Sequence, residues 1–329
     1  MPDRGRATVL RARVGVLFPA ASGRAPSDPR ATSFGRAALA LASEGIDLVL
    51  GDELQAGALR GQVVRDGAWV QAPHLPIDAV YHRYPEADRP EAWARLQRQL
   101  VGLPVVNPLP LVSLCRDKLA CQRLLEAAGV PQPEVVTGER AHQLLGPGEL
   151  AFLKPRHGAF GEGVRRVGHA DLAELPRDDG WILQRAVPGP PGWAGICVRV
   201  LVQRLVDRGW QVLPGAARCS RVDPVVNHAR GAEVLPADEV LPHASLVALH
   251  ELSLEVARAL AAAEGCGHAG ELGLDFVIDH TLHPVLIEVN GKPRGRLEAL
   301  ARLAPARFAG LAEQAACAPL RWAVVTAGR

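Results

Sequence analysis

Lysine is nearly absent from this chain. Of 37 basic residues only three are lysine, Lys118, Lys154 and Lys292, and asparagine is equally scarce at Asn107, Asn227 and Asn290. A GC-rich genome produces this bias, placing arginine wherever any positive charge will serve. A lysine that survives it marks a place needing a compact ammonium on a slim stem, because guanidinium and ammonium are not interchangeable in a tight site. Chance survival is the plain alternative for any one of them. Long apolar runs are also missing: none approaches the roughly 20 residues that span a bilayer. No basic block is longer than a pair or so, and 37 basic against 35 acidic residues leave a net +2. Neither nucleic acid nor an anionic membrane is therefore an expected partner. The six cysteines (Cys115, Cys121, Cys197, Cys219, Cys266 and Cys317) contain no CxxC pair, and are read as reduced thiols of a cytoplasmic protein. Met1–Arg13 is arginine-rich, but the apolar stretch after it, Val14–Ala21, is only eight residues long. It reads as a first strand rather than a signal peptide.

What is present is globular. With 329 residues, 48% hydrophobic and 22% charged, the chain has room for about two domains and cannot be wholly disordered. Val14–Phe18, Asp47–Leu50, Ala79–His82 and Val105–Val106 read as strands, with helices over Ser33–Glu44 and Glu91–Leu100. That alternation predicts a mostly parallel α/β layer up to about residue 107. Leu114–Ala128 reads as one amphipathic helix on Leu114, Leu119, Leu124 and Leu125, capped by Ser113 and ended by Gly129. Short strands at Val135–Val136, Ala151–Lys154, Val164–Val167 and Trp181–Gln184 predict a small antiparallel or mixed sheet. The loop Pro188–Gly192 (PGPPG) separates it from the next lobe. There, Ile196–Leu205 and Gln211–Ala217 read as a hairpin, Ala244–Glu264 as a long helix, Gly273–Asp279 with Pro284–Asn290 as a second hairpin, and Leu297–Ala316 as mostly helical.

Two segments carry chemistry. In Phe152–Val164 (FLKPRHGAFGEGV) a strand ends at Lys154 and Gly158, Gly161 and Gly163 follow before the next strand. Glycines in a strand-to-strand turn let backbone N–H groups approach an anion, and Lys154 adds a point charge. No GxxxxGK[ST] loop occurs, and no glycine fingerprint opens a helix. Alone, the segment would also read as a flexible hairpin with an incidental lysine. The second segment is the hairpin Gly270–Asn290. Period-two alternation places Asp275, Val277 and Asp279 on one face, and Leu286, Glu288 and Asn290 likewise, with Asp275 opposite Glu288 if His280–His283 is the turn. Two facing carboxylates and an amide oxygen among apolar residues are what Mg²⁺ takes beside substrate phosphates; a solvated strand face is the alternative. Cys266 with His268, and His250 with Glu251, lack the spacing of metal sites, and no GxSxG elbow is present.

A glycine loop with a lysine, then a metal hairpin about 120 residues later, implies a nucleoside triphosphate held between two lobes. In these features the chain resembles the ATP-grasp superfamily. Asp117–Lys118 followed by Ala128–Pro133 (AGVPQP) is similar to its entry helix, Leu153–Pro155 with the glycine loop to its phosphate-binding strand, Ile182–Val187 to its interlobe hinge, and Asp275, Glu288 and Asn290 to its metal triad. Val80–Pro85 (VYHRYP), Val198–Gln203 (VRVLVQ), Gly209–Trp210, Ala217–Arg218 and Val226–Asn227 with Gly231 narrow the resemblance to the YheC/YheD-like, endospore-coat-associated branch, over about Val14 to Gly295.

The resemblance implies a mixed α/β, α+β protein: a Rossmann-like pre-ATP-grasp domain over 1–108, a small lobe with its entry helix over 109–188, and a large lobe over 189–329. It implies that Lys118 and Lys154 contact ATP phosphates and that Gly158, Gly161 and Gly163 cover them. Gln184, Ala186 and Val187 would face adenine. Arg199 and Arg218 would stabilise the transferring phosphoryl group, with Asn227 near the phosphate or substrate end. Asp275, Glu288 and Asn290 would hold one or two Mg²⁺, or Mn²⁺ in their place. The implied activity is ATP-dependent ligation of small-molecule or peptide carboxylates to amines or thiols through an acyl phosphate. A non-catalytic coat or assembly protein that keeps the fold is the main rival, and an ATP-grasp kinase or carboxylase module the second. Two positions depart from the family pattern. Arg185 stands where an acidic residue commonly follows the hinge glutamine, which bears on nucleotide contacts. Cys197 stands where Asp commonly precedes the arginine by two, which bears on the orientation of Arg199.

Overall fold

The structure is a computed structural model that describes residues 12–18, 32–83, 90–137, 140–158, 162–222, 232–293 and 297–328. Apolar strands build its first layer: β1 (Ala12–Leu17), β2 (Ile46–Gln55), β5 (Ala79–His82) and β6 (Val105–Val106) run parallel, as the sequence predicts. Two further strands that the sequence reading leaves unassigned, β3 (Ala58–Arg65) and β4 (Ala68–Pro76), extend this sheet antiparallel in the order β4-β3-β2-β1-β5-β6. Their turns are tight pairs with positive φ, Ala56–Gly57 and Asp66–Gly67. Helix α1 (Ser33–Ala42) covers one face through Phe34, Ala38 and Leu41, and α2 (Pro90–Gln99) covers the other through Leu96.

The stretch read as one helix is two. Helix α3 (Leu109–Arg116) ends at Asp117, whose extended backbone breaks the helix and whose carboxylate caps α4 (Lys118–Ala127), accepting from the Leu119 and Ala120 N–H groups at 3.1 Å each. Asp117, not Ser113, is thus the capping residue, since an aspartate N-cap satisfies helix donors that a continuous helix would not need. Gly129 (φ +79°) ends α4 as expected. The small sheet is fully antiparallel, ordered β7 (Val135–Thr137), β10 (Trp181–Arg185), β8 (Leu150–Pro155), β9 (Arg165–Gly168), with the short helix α5 (Ala141–Leu144) beside it.

The third sheet is also antiparallel, ordered β14 (Glu233–Pro236), β13 (Ala216–Ser220), β11 (Gly195–Leu205), β15 (Glu271–Ile278), β16 (Pro284–Asn290), with β12 (Gly209–Val212) on the far half of β11. The return strand read over Gln211–Ala217 therefore divides into β12 and β13. Pro214, which has no N–H to donate, interrupts the ladder between them. Helix α6 (His243–Ala262) packs Leu249, Val256 and Leu260 on this sheet. Helices α7 (Glu298–Leu303) and α8 (Pro305–Thr326) follow. The first half of α8 packs Phe308 and Ala312 with Leu201 and Leu213, whereas its second half places Leu320 and Ala323 in the core of the first sheet. The final helix therefore joins the third sheet to the first.

Asn107, just past β6, ties the same two layers. Its amide donates to the carbonyls of Glu271 (2.5 Å) and Gly291 (2.6 Å) and accepts from the N–H groups of Gly270 (2.7 Å) and Glu271 (3.1 Å). All four bonding positions of a buried carboxamide are filled, across both strands of the carboxylate hairpin. Asn107→Ala should cost about 2–4 kcal/mol by leaving four backbone groups unpaired, read as a lower urea midpoint at unchanged m.

Candidate active site

The hairpin brings its carboxylates together as the alternation predicts: Asp275 pairs with Glu288 in register. A bulge follows at once, because Phe276 pairs with Leu286 and Ile287 is left over. The extra residue turns Leu286 into the core beside Phe276, so Leu286 does not share the face of Glu288. Asp279 is likewise outside the site: its carboxylate accepts from Thr281 and His283 in the turn.

Across the sheet, Arg199 on β11 lies opposite Asp275. Its guanidinium grips that carboxylate bidentately, Nε to Oδ1 at 2.6 Å and Nη2 to Oδ2. Asn290 Nδ2 adds a bond to Asp275 Oδ2 at 3.2 Å. Arg199 is thus oriented by Asp275, whatever stands at position 197. Cys197 lies beside Arg218 in the β11/β13 register, and burial, with Asp275 next, pushes its thiol up to about 12. It is neutral at ordinary pH, so Arg218 faces an uncharged neighbour there and makes no ion pair with any described residue.

The small sheet and the start of α4 supply the opposing cations. Lys154 Nζ on β8 donates to Gln184 Oε1 on β10 at 2.5 Å. Lys118 Nζ, at the start of α4, donates to the carbonyls of Pro155 (3.2 Å) and Gly158 (2.9 Å). Neither lysine bond ends on an anion. Burial lowers both lysines from the ordinary ammonium value, with Glu288 opposing the shift in each. Burial, then Asp275, raises Glu288 above the usual carboxylate range, against Lys118, Lys154 and Arg199. Lys154 from the small sheet and Lys118 from α4 therefore meet Glu288, Asp275 and Arg199 of the third sheet in one electrostatic cluster. Gln184 is buried. The Ala186 N–H is taken by the Leu150 carbonyl at 2.9 Å, leaving the Ala186 carbonyl and Val187 at the exit of the hinge. Gly163 (φ +73°) closes the glycine loop where a Cβ would stand 2.9 Å from Pro155 Cγ, so only glycine fits. Gly161 and Asn227 lie outside the described residues.

Two further arginines make ion pairs that residue spacing alone does not predict. Arg156 grips Asp117 bidentately at 2.8 and 2.6 Å, while Lys118 N bonds the Arg156 carbonyl. The root of the glycine loop is thereby fastened to the start of α4, where both lysines converge. Arg185 points the other way, to Glu149 (2.7 Å) and Glu134 (3.2 Å), so its departure from the family pattern belongs to the outer face of the small sheet. The Arg156 bond holds Asp117 down to about 2 from the ordinary 3.8. That stability is present above pH 3.8 and is lost as pH falls towards 2. Asp117→Ala should cost about 2–3 kcal/mol in cap and charge-assisted bonds. Asp117→Asn should keep the cap but flatten the acid limb of a melting-temperature titration.

The residues present also fit a divalent cation. Among the described residues no three His, Cys, Asp or Glu side chains gather, so a cation here would have two carboxylates, Asp275 and Glu288, and the Asn290 oxygen. Arg199 takes one lone pair on each Asp275 oxygen and Asn290 the second on Oδ2, which leaves one on Oδ1 beside the Glu288 carboxylate. A small set of hard oxygens, completed by phosphate and water, is the manner in which Mg²⁺ is held.

Comparison with known proteins agrees with this architecture. Residues 194–307 match the family model described as YheC/D like ATP-grasp. The fold is similar to a D-alanine-D-alanine ligase from Coxiella burnetii, with a TM-score of 0.61 at 12% identity over 98% of this chain and 96% of that one. It is similar to the VanG D-Ala:D-Ser ligase from Enterococcus faecalis, with a TM-score of 0.58 at 16% identity over 94% and 99%. It is also similar to the D-alanine–D-alanine ligase from Bacillus anthracis complexed with ATP, with a TM-score of 0.55 at 16% identity over 97% of each chain. No curated protein matches the chain by sequence. The chain thus has the fold of these ligases, and its residues 194–307 match a YheC/D-like ATP-grasp domain.

Proposed function

We propose that this protein is an ATP-dependent ligase that joins a carboxylate to an amine or thiol through an acyl phosphate. The observation that carries the reading is the charge balance of the cluster. Lys118, Lys154, Arg199 and Arg218 stand against Asp275 and Glu288, and only Arg199 among the four cations spends itself on a described carboxylate. Buried cations without anions are costly unless a ligand supplies the charge, and a nucleoside triphosphate does so. Lys154 and Lys118 would bind its phosphates, with Gln184 and the hinge at Ala186 and Val187 beside the base. Mg²⁺ held by Asp275, Glu288 and Asn290 would neutralise phosphate charge. Arg218, held by no carboxylate among the described residues, would stabilise the phosphoryl group as it moves.

The substrate carboxylate oxygen attacks the γ-phosphorus and ADP leaves. The acceptor nitrogen or sulfur then attacks the acyl carbon, losing its proton as inorganic phosphate departs. No side-chain nucleophile is required: the residues position the reactants and neutralise charge. An ADP-release assay over pooled amino acids, dipeptides and hydroxy acids tests the reading. ADP formed only with an acid and an acceptor present supports it. Mg·ATP binding without ADP release from any pool favours the non-catalytic assembly protein.

A further inference from the structure

The first sheet has a topological switch point. Helix α1 follows β1 and packs on one face, whereas α2 follows β5 and packs on the other. Strands β1 and β5 are neighbours, with Leu17 paired to His82. Open α/β sheets hold ligands in the crevice beyond the carboxyl ends of two such strands, and the nucleotide site described above uses none of it.

His82 closes β5 in that crevice. Its side chain is fully buried, and neither ring nitrogen meets a partner in good hydrogen-bond geometry among the described residues, although the Asn107 backbone is close enough to act on the ring. Buried polar groups are normally paired, so an orphaned imidazole points to a partner that a ligand brings. Its surroundings are positive. Arg83 follows directly, fixed by bonds from Nη1 to the Tyr81 hydroxyl (3.1 Å) and the Pro293 carbonyl (2.9 Å). Lys292 Nζ lies 5.5 Å from the centre of the Trp93 ring, which lies 5.7 Å from the His82 ring. Burial, then Lys292 and Arg83, holds the imidazole well below its ordinary 6.5. It is therefore neutral, with one donor and one acceptor nitrogen. Lys292 follows Asn290 by two residues, so it lies within about 7 Å of backbone from the carboxylate hairpin. It is also the one scarce lysine that the nucleotide does not need.

We propose that His82, Lys292 and Arg83 form the subsite that holds a carboxylate of the acid substrate, with Trp93 as its apolar wall. This rests on the ligase reading and names the substrate end of the same site. Two cations and a neutral imidazole select an anion over an amine, and the imidazole N–H supplies the directed bond that a diffuse positive patch lacks. The acid is a small molecule or a peptide presenting a free carboxylate, held beside the phosphoryl group that activates it.

The test follows His82 itself. The full chain carries isotope-labelled histidine, the His82 ring signals are assigned by their loss in His82→Gln, and succinate is the probe. A saturable shift of these signals is expected in the wild type, weakened about tenfold or more in Lys292→Gln. Sodium chloride of equal ionic strength should leave them in place. Signals that ignore succinate, that respond equally to chloride or inorganic phosphate, or that respond alike in Lys292→Gln overturn the subsite. Failure of the ligase reading registers separately, as absence of ADP release in the pooled-substrate assay.

Discussion

Replacing Lys154 by alanine should weaken Mg·ATP binding about 30- to 1000-fold, the equivalent of losing about 2–4 kcal/mol from one charged contact in a closed site. The same replacement should not lower the melting temperature of the ligand-free protein. Burial depresses the Lys154 ammonium below its ordinary value, with Lys118 adding to the effect. Its charged form is therefore a cost that folding carries, despite the Gln184 bond. Affinity and stability then move independently, which separates a binding residue from a structural one. Lys154→Arg should fail nearly as badly in binding. A planar guanidinium cannot reproduce the single contact to Gln184 Oε1, and it stays charged in a place that penalises charge. Calorimetric titration with Mg·ATP, alongside melts of the three proteins, measures both quantities. Wild-type affinity in the arginine variant would remove the argument from lysine scarcity.

The sequence carried the strands better than their joints. Period-two runs such as Val14–Phe18 and Pro284–Asn290 are visible because burial on one or both faces writes them into composition. The β3–β4 hairpin was missed because its outer strand is largely solvated, with the burial pattern of an edge. Its signal was nevertheless present in Asp66–Gly67, a two-residue pair of the type that hairpin turns favour. The break at Asp117 and the bulge at Ile287 were hidden for another reason. Each is decided by a partner far along the chain, Arg156 for the first and the β15 register for the second. The site divides in the same way. Lysines and carboxylates could be named from spacing, but the Arg199 grip on Asp275 joins residues 76 apart in sequence and exists only once β11 and β15 are paired. The outward turn of Arg185 likewise needed the positions of Glu134 and Glu149.

The two hairpin carboxylates should behave oppositely when neutralised. Glu288 is raised above the usual range by burial and by Asp275, although Lys118, Lys154 and Arg199 already attract its charge. The net shift includes those attractions, so the ionised form is unfavourable in the folded chain even with three cations nearby. A carboxyl with a raised folded value contributes stability below its unfolded value of about 4.5 and loses it as pH rises through the folded one. At neutral pH Glu288→Gln should therefore melt no lower than the wild type, and higher if the chain relaxes little. It should also lack the gain in stability that the wild type shows on mild acidification. Asp275→Asn is the contrast. It strips a bidentate partner from Arg199, whose guanidinium is held above its usual value chiefly by that carboxylate. Leaving a buried cation unpaired costs about 3–5 kcal/mol, seen as a fall in melting temperature. Mg·ATP then separates the readings. At a ligand concentration of about 100 times Kd, linkage adds about 2.7 kcal/mol to the wild type. Both variants should lose most of that increment, and with it ADP release, because each removes an oxygen donor from the set that would hold Mg²⁺. If Glu288→Gln keeps the full nucleotide-dependent shift, the hairpin carboxylates are structural and the cation lies elsewhere.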